Sequence, residues 1–284
     1  STAILRQYPA RTFLDETDAV VWTMGRTEML DTDLMENGHP VRLQAIIYQP
    51  MGKGPFPLAV LNHGSTGSGR DPGIAKSPWS DLTLARFLTD RGWLVAFPQR
   101  RGRGGSDGLY DEGFARDRTE GYACNPKRSL PGADRALTDI AAAIGALRKR
   151  DDVADGPVLM GGVSRGGILS AAYAGTHPDQ IYGVINFVGG WMGSLCRNAS
   201  HINQTLFRRA ASYTKPTIWL YGRQDPFYPI SHSKGNFDAF SAAGGKGSFH
   251  VFSTPMGNGH FVNMYESLWG SVLGDYLTKI KPAP

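Results

Sequence analysis

Residues 158–167 read Val-Leu-Met-Gly-Gly-Val-Ser-Arg-Gly-Gly, and this stretch decides the fold. An apolar run leads into Gly162-Val163-Ser164-Arg165-Gly166, and a helical pattern leads out of it. A serine between two glycines at a strand-to-helix junction is a nucleophile elbow, a sharp turn that lifts the hydroxyl clear of the backbone. Strain of this kind costs roughly 1–3 kcal/mol. Glycine suits positions 162 and 166 because a Cβ at either would crowd the turn. Ser164 is therefore the candidate nucleophile, and a hydrolase attacking a carbonyl carbon is expected.

The same G-x-S-x-G pattern recurs at Gly104-Gly105-Ser106-Asp107-Gly108. Arg100-Arg101-Gly102-Arg103 precedes it and Leu109-Tyr110-Asp111-Glu112-Gly113 follows, so no strand enters and no helix leaves. A motif carries weight only in its structural context. Ser106 reads as part of a polar loop.

On either side of the elbow the hydrophobic pattern alternates between two periods. Strands are expected at 41–49, 57–62, 93–97, 158–160, 182–188, 217–221 and 248–252, from short apolar or alternating runs. Helices are expected at 79–90, 134–150, 165–176, 231–243 and 261–277. Ser77-Pro78 looks like an N-cap followed by proline at the first helical position. Leu137, Ile140, Ala141, Ile144 and Leu147 fall on one helical face. Alternation of this kind implies an α/β fold, with a mostly parallel, doubly wound sheet covered by helices on both faces. Ligands in such sheets bind beyond the carboxyl ends of the strands. Two connections are unusually long, 99–131 and 189–214, and lid-like loops of this length often lie over active sites.

Bulk properties narrow the class. At 284 residues, the chain can bury about three quarters of its unfolded surface and needs no staple to be stable. No run approaches the ~18 apolar residues of a membrane span, and no repeat or low-complexity tract is present. The net charge is +5, but basic and acidic residues are mixed; even the densest stretch, 100–128, holds seven Lys or Arg against five Asp or Glu. That stretch reads as a solvated loop surface, and no nucleic-acid partner is expected. The chain begins Ser1-Thr2, from which a removed signal peptide or a trimmed end is expected. Its two cysteines, Cys124 and Cys196, lie in loops far apart and suit a single disulfide in a periplasmic or secreted protein. Two unpaired buried thiols are the alternative. No metal-ligand spacing occurs, and neither metal nor cofactor is expected.

A serine hydroxyl needs a base to remove its proton. Of seven histidines, His260 is favoured, because Met256-Gly257-Asn258-Gly259-His260 forms a pliable loop just after the last strand. His39 and His250 fall at or in strands, and His177, His201 and His232 at helix ends. His63 is expected to brace its loop. The base in turn needs a carboxylate to orient it; Asp225, in the loop after strand 217–221, is favoured over Asp238, which lies within a helix. The oxyanion needs preorganised donors, each worth about 2.7–4 kcal/mol. The amides of Arg165 and Ser65 are the candidates, with Gly64 in reserve. The Arg165 side chain suits either a substrate carboxylate or a buried ion pair beneath the elbow. Tyr122, Trp191, Phe227, Tyr228 and Phe261 could line an acyl or aromatic pocket, or simply pack.

Asn62-His63-Gly64-Ser65, the run from Arg101 through Gly102-Arg103-Gly104-Gly105-Ser106-Asp107-Gly108, the Ser164 elbow, Gly222-Arg223-Gln224-Asp225 and Gly259-His260 occur in this order. Together they resemble the α/β-hydrolase superfamily, in its dienelactone-hydrolase-like and prolyl-oligopeptidase-like branches, over about residues 40–280. The order Ser164, Asp225, His260 is the order that resemblance implies for a catalytic triad. Dienelactone hydrolases proper carry a cysteine nucleophile; Ser164 stands here instead, as in the serine esterases and peptidases of the superfamily, which tells against lactone hydrolysis. No β-propeller segment precedes residue 40, so no propeller size filter is expected. The resemblance implies one α/β-hydrolase domain over 1–284 and a small-molecule ester as substrate. It implies an acyl-enzyme intermediate and a monomer. A small serine aminopeptidase or amidase with the same triad is the nearest alternative, and a non-catalytic binding protein of this fold is the alternative from another class.

Overall fold

A computed structural model describes residues 25–281; the reading of Ser1-Thr2 lies outside them. Eight strands form one sheet, in the order β1-β2-β4-β3-β5-β6-β7-β8. They are β1 (Arg26–Glu36), β2 (His39–Tyr48), β3 (Leu58–Asn62), β4 (Leu94–Pro98), β5 (Val158–Val163), β6 (Ile181–Phe187), β7 (Thr217–Gly222) and β8 (Gly247–Phe252). The pairs β1–β2 and β2–β4 are antiparallel, and every other pair is parallel. Strands β3, β4, β5 and β7 are buried at every residue, which explains their unbroken apolar runs.

Among the described residues six helices accompany the sheet: α1 (Leu82–Thr89), α2 (Pro126–Leu147), α3 (Arg165–Thr176), α4 (Ala199–Ala210), α5 (Ile230–Ala242) and α6 (Glu266–Ile280). Successive residues of β6 show that both faces are covered. A Cβ on Gly167 of α3 would sit 2.4 Å from Asn186 Oδ1, whereas the next side chain, Phe187, packs edge-on against Trp269 of α6 at 5.2 Å. That alternation is the period-two geometry of a strand.

Four expectations are corrected. Strand β1 was not foreseen, because only Leu30 of its eleven residues is buried and its acids obscure the alternation. The signal lay in Asn37-Gly38, both at positive φ, which is the hairpin turn joining β1 to β2. Helix α1 begins at Leu82 rather than at 79, and its N-cap is Asp81, which accepts from the Leu84 amide, instead of Ser77. Helix α2 begins at Pro126, with Asn125 as N-cap, and carries Pro131 inside it, so the long loop ends before 126. The expected helix 261–277 is a 3-10 turn, Gly259–Met264, followed by α6.

Candidate active site

The parallel strands aim their carboxyl ends at one edge, where the elbow sits. Ser164 adopts φ 60° and ψ −121°, a left-handed conformation that a residue with a Cβ holds only under strain. The turn is tight because two segments touch there. A Cβ on Gly166 would lie 1.8 Å from the Asn62 carbonyl oxygen, and one on Gly162 would lie 2.4 Å from the Gly166 carbonyl carbon. The Ser164 amide donates to Phe187 O at 2.9 Å, and Asn62 Nδ2 donates to Ser170 Oγ at 3.0 Å. These bonds anchor the turn to β6 and α3.

The Asp225 and His260 loops press together at the ends of β7 and β8, where a Cβ on Gly222 would lie 2.2 Å from Gly259 O. His260 Nδ1 is 2.9 Å from Asp225 Oδ2. The other carboxylate oxygen, Oδ1, accepts from the Phe227 and Tyr228 amides at 2.8 and 3.0 Å. The Asp225 side chain is wholly shielded from solvent and that of His260 is 12% exposed, so the carboxylate is fixed while the ring reaches the cavity. Tyr228 is buried, and burial pushes its pKa well above the usual phenol value, which keeps it neutral. Among the described residues no hydrogen bond joins Ser164 to the His260 ring; such bonds commonly tighten only when substrate binds.

The loop after β3 runs beside the elbow. A Cβ on Gly64 would stand 3.2 Å from the Ser164 Cβ, and Ser65 lines the same cavity. The Arg165 amide is the first of α3, where an N–H has no partner within the helix. His63 is fully buried below this loop. Its Nε2 accepts from the Arg100 amide at 3.0 Å, and its Nδ1 lies 2.9 Å from Gly64 O. Burial, then the charges of Arg100 and Arg103, hold the His63 pKa well below its ordinary value. The ring is therefore a neutral brace.

The stretch expected to be a solvated basic loop is instead partly interior. Arg100, Arg101, Arg103 and Glu112 are all buried. Two of the guanidinium groups meet carboxylates: Arg100 forks onto Glu112 and Arg101 meets Asp139 at 2.6 Å, whereas Arg103 Nη1 donates to the neutral Gly64 O at 2.8 Å. Burial opposes ionisation of Glu112, but Arg100, with Arg165 and Arg103, outweighs it and lowers its pKa. The Arg165 side chain, 1% exposed, donates to Trp191 O and Glu112 O at 2.9 and 3.2 Å. Its guanidinium lies between the Tyr122 and Trp191 rings, 3.7 and 4.0 Å from their centroids. This is the buried support for the elbow, and it leaves that side chain no face for a substrate carboxylate.

Ser164, His260, Ser65 and Arg165 all border a cavity of about 1040 Å³. The five aromatic candidates border it too, in two groups. Tyr122, Trp191 and Tyr228 form its wall, and the Tyr122 hydroxyl accepts from the Thr66 amide at 3.0 Å. Phe227 and Phe261, 44% and 49% exposed, stand at its rim. Leu82, Met192, Leu195 and Met264 also border it; lone apolar residues in polar surroundings gave no signal in the sequence.

Cys124 and Cys196 form a disulfide across a separation of 72 residues, and both cysteines border the cavity. The link joins the segment before α2 to the segment before α4. Closing a loop of 72 residues constrains the unfolded chain by about 4 kcal/mol. The Cys124→Ala/Cys196→Ala double variant is expected to lose about that much stability in urea unfolding. A loss below about 1 kcal/mol would contradict the entropic account.

The other serine and histidines have structural surroundings. Ser106 Oγ donates to Gln99 O at 2.6 Å and accepts from the Gln44 amide at 2.8 Å, tying its loop to β2. His177 stacks on Tyr173 at 4.2 Å, and His232 accepts from Asn203 Nδ2 at 3.0 Å. Asp238 makes an exposed pair with Lys234. Among the described residues, no group of His, Cys, Asp and Glu could hold a metal, and no helix is long and apolar enough to cross a membrane.

Comparison with known proteins adds a family match and a set of similar folds. The family model described as serine aminopeptidase, S33, matches residues 72–194. No curated protein matches the chain by sequence. The esterase Pf2001 of Pyrococcus furiosus superposes with a TM-score of 0.63 at 13% identity, covering 96% of this chain and 97% of its own. Est1E of Butyrivibrio proteoclasticus with bound ferulic acid superposes with a TM-score of 0.55 at 20% identity, over 80% and 89% of the two chains. The acylaminoacyl peptidase of Pyrococcus horikoshii gives 0.56 at 15% identity, over 85% of this chain and 39% of that one.

Proposed function

We infer that this chain, a member of the α/β-hydrolase superfamily, cleaves carboxylic esters with a Ser164–His260–Asp225 triad through an acyl-enzyme. One observation carries the reading: the strained Ser164 and His260, which is bonded to Asp225, border a single cavity at the carboxyl edge of the sheet. In the proposed cycle His260 Nε2 takes the Ser164 proton as Oγ attacks the carbonyl carbon. Oxygen charge develops toward the Arg165 and Ser65 amides. His260 then passes the proton to the departing alcohol. Water, deprotonated by the same ring, attacks the acyl carbon; Oγ leaves and regains its proton.

The esterase Pf2001 among the similar folds supports this substrate class. The family match to serine aminopeptidases favours a second reading, an amidase with the same residues. An aminopeptidase needs a carboxylate for the free ammonium of its substrate. Of the acids bordering the cavity, Asp81 already caps α1 and accepts from Asn263 Nδ2 at 2.8 Å, which leaves only Glu120 at the outer edge. Turnover of p-nitrophenyl acetate is therefore expected to exceed that of alanine p-nitroanilide by at least about a hundredfold in kcat/KM, the scale of a lost charge-assisted contact. Faster cleavage of the anilide would replace the ester reading with the amidase one. The disulfide supports a periplasmic or secreted location.

A further inference from the structure

Ten large apolar side chains are exposed among the described residues. Five of these, Leu82, Leu195, Phe227, Phe261 and Met264, border the Ser164 cavity. Single exposed apolar residues are ordinary, whereas a contiguous group marks a binding surface. Leu195 is 97% exposed and Met264 63%. Leu195, Phe227 and Phe261 lie in one arc beside the candidate base, and Met264 ends the 3-10 turn that carries Phe261. The amide of Ser194 donates to Phe227 O at 2.8 Å, the Phe227 ring lies 4.8 Å from that of His260, and the Phe261 ring lies 5.8 Å from it. Leu195 is held outward by its neighbours, since Ser194 is bonded to Phe227 and Cys196 is locked in the disulfide. Ser65, Ser68, Arg70 and Glu120 make another part of the border polar, with Arg70 Nε donating to Glu120 O at 3.4 Å.

We propose that the site takes esters in which one side of the scissile bond carries a large apolar group, laid along the arc of Leu195, Phe227, Phe261 and Met264. The inference rests on the ester-hydrolase reading and adds the class of ester. The cavity, about 1040 Å³, lies at the upper end of the size that encloses a drug-sized ligand, so an acetyl group alone leaves the arc in water. Each methylene that moves from water onto a half-covered apolar surface raises kcat/KM by about two- to fourfold.

The test measures kcat/KM for p-nitrophenyl esters from acetate to octanoate, and for acetate esters of alcohols from ethanol to octanol. At least one series is expected to rise tenfold or more from its shortest to its longest member, by the per-methylene gain above. In a Leu195→Ser/Met264→Ser variant, whose changes are on exposed side chains that the fold tolerates, the long-to-short ratio of that series is expected to fall about tenfold. Two flat series, with the acetate still turned over, would overturn the proposal and leave the hydrolase reading standing. So would an unchanged ratio in the variant, or two flat series from a protein that light scattering shows to be a dimer, since the arc would then belong to a second copy. No turnover of any ester would remove the ester-hydrolase reading, and this inference with it.

Discussion

On the proposed mechanism Ser164→Ala is expected to lower kcat/KM for any ester substrate by about a millionfold, the scale on which removal of an activated serine acts. The effect is this large because the other parts of the site have nothing to deliver without Oγ. The His260 ring has no proton to take, and the Asp225 carboxylate orients a base with no nucleophile. Residual acceleration over water, roughly 10³–10⁴-fold, comes from binding and from the amides facing the oxyanion. Stability changes little by comparison. Alanine keeps the Cβ that already sits at φ 60°, and only the hydroxyl is removed. Kinetics with p-nitrophenyl acetate, together with thermal melts of both proteins, check the two halves of this expectation. Ser106→Ala provides the contrast. Its hydroxyl bridges Gln99 O and the Gln44 amide, so stability falls and turnover per folded molecule persists.

Asp225→Asn is expected to lower kcat/KM by about 10⁴-fold, for a reason that follows from its hydrogen bonds. Oδ1 accepts two backbone amides, from Phe227 and Tyr228. An asparagine must place its oxygen there, because its NH2 group would face two N–H donors. The NH2 group is then directed at His260 Nδ1, 2.9 Å from the present Oδ2. Nδ1 becomes the acceptor, and the ring carries its proton on Nε2. That tautomer cannot take a proton from Ser164. The variant retains the shape of the site, so KM moves far less than kcat. A loss under about a hundredfold would mean that Asp225 is a turn residue and that another group orients the base.

The Ser164 elbow was legible in the sequence for a local reason: a strained turn must be glycine-flanked, and Gly162 and Gly166 have no room for a Cβ. The Asp225 and His260 positions were legible because each lies just past a strand, where an α/β sheet gathers its ligands. What escaped the sequence depends on distant partners. Arg100 and Arg101 read as surface charge, since Glu112 and Asp139, which neutralise them inside the fold, stand 12 and 38 residues away. The wall formed by Arg165 between Tyr122 and Trp191 joins three segments that no periodicity connects. Strand β1 was hidden by its solvated face, although the Asn37-Gly38 turn announced it. The apolar rim at Leu195 and Met264 lies in irregular segments, where one exposed side chain carries no pattern.

The central claim is that Ser164 is chemically activated by its surroundings. Intact mass spectrometry after incubation with a fluorophosphonate, for the wild type and for Ser164→Ala, tests it most directly. The account predicts a single adduct on the wild-type chain and none on the variant. An adduct that survives in Ser164→Ala would place the nucleophile elsewhere, and the absence of an adduct on both would leave a hydrolase-fold binding protein in place of an enzyme.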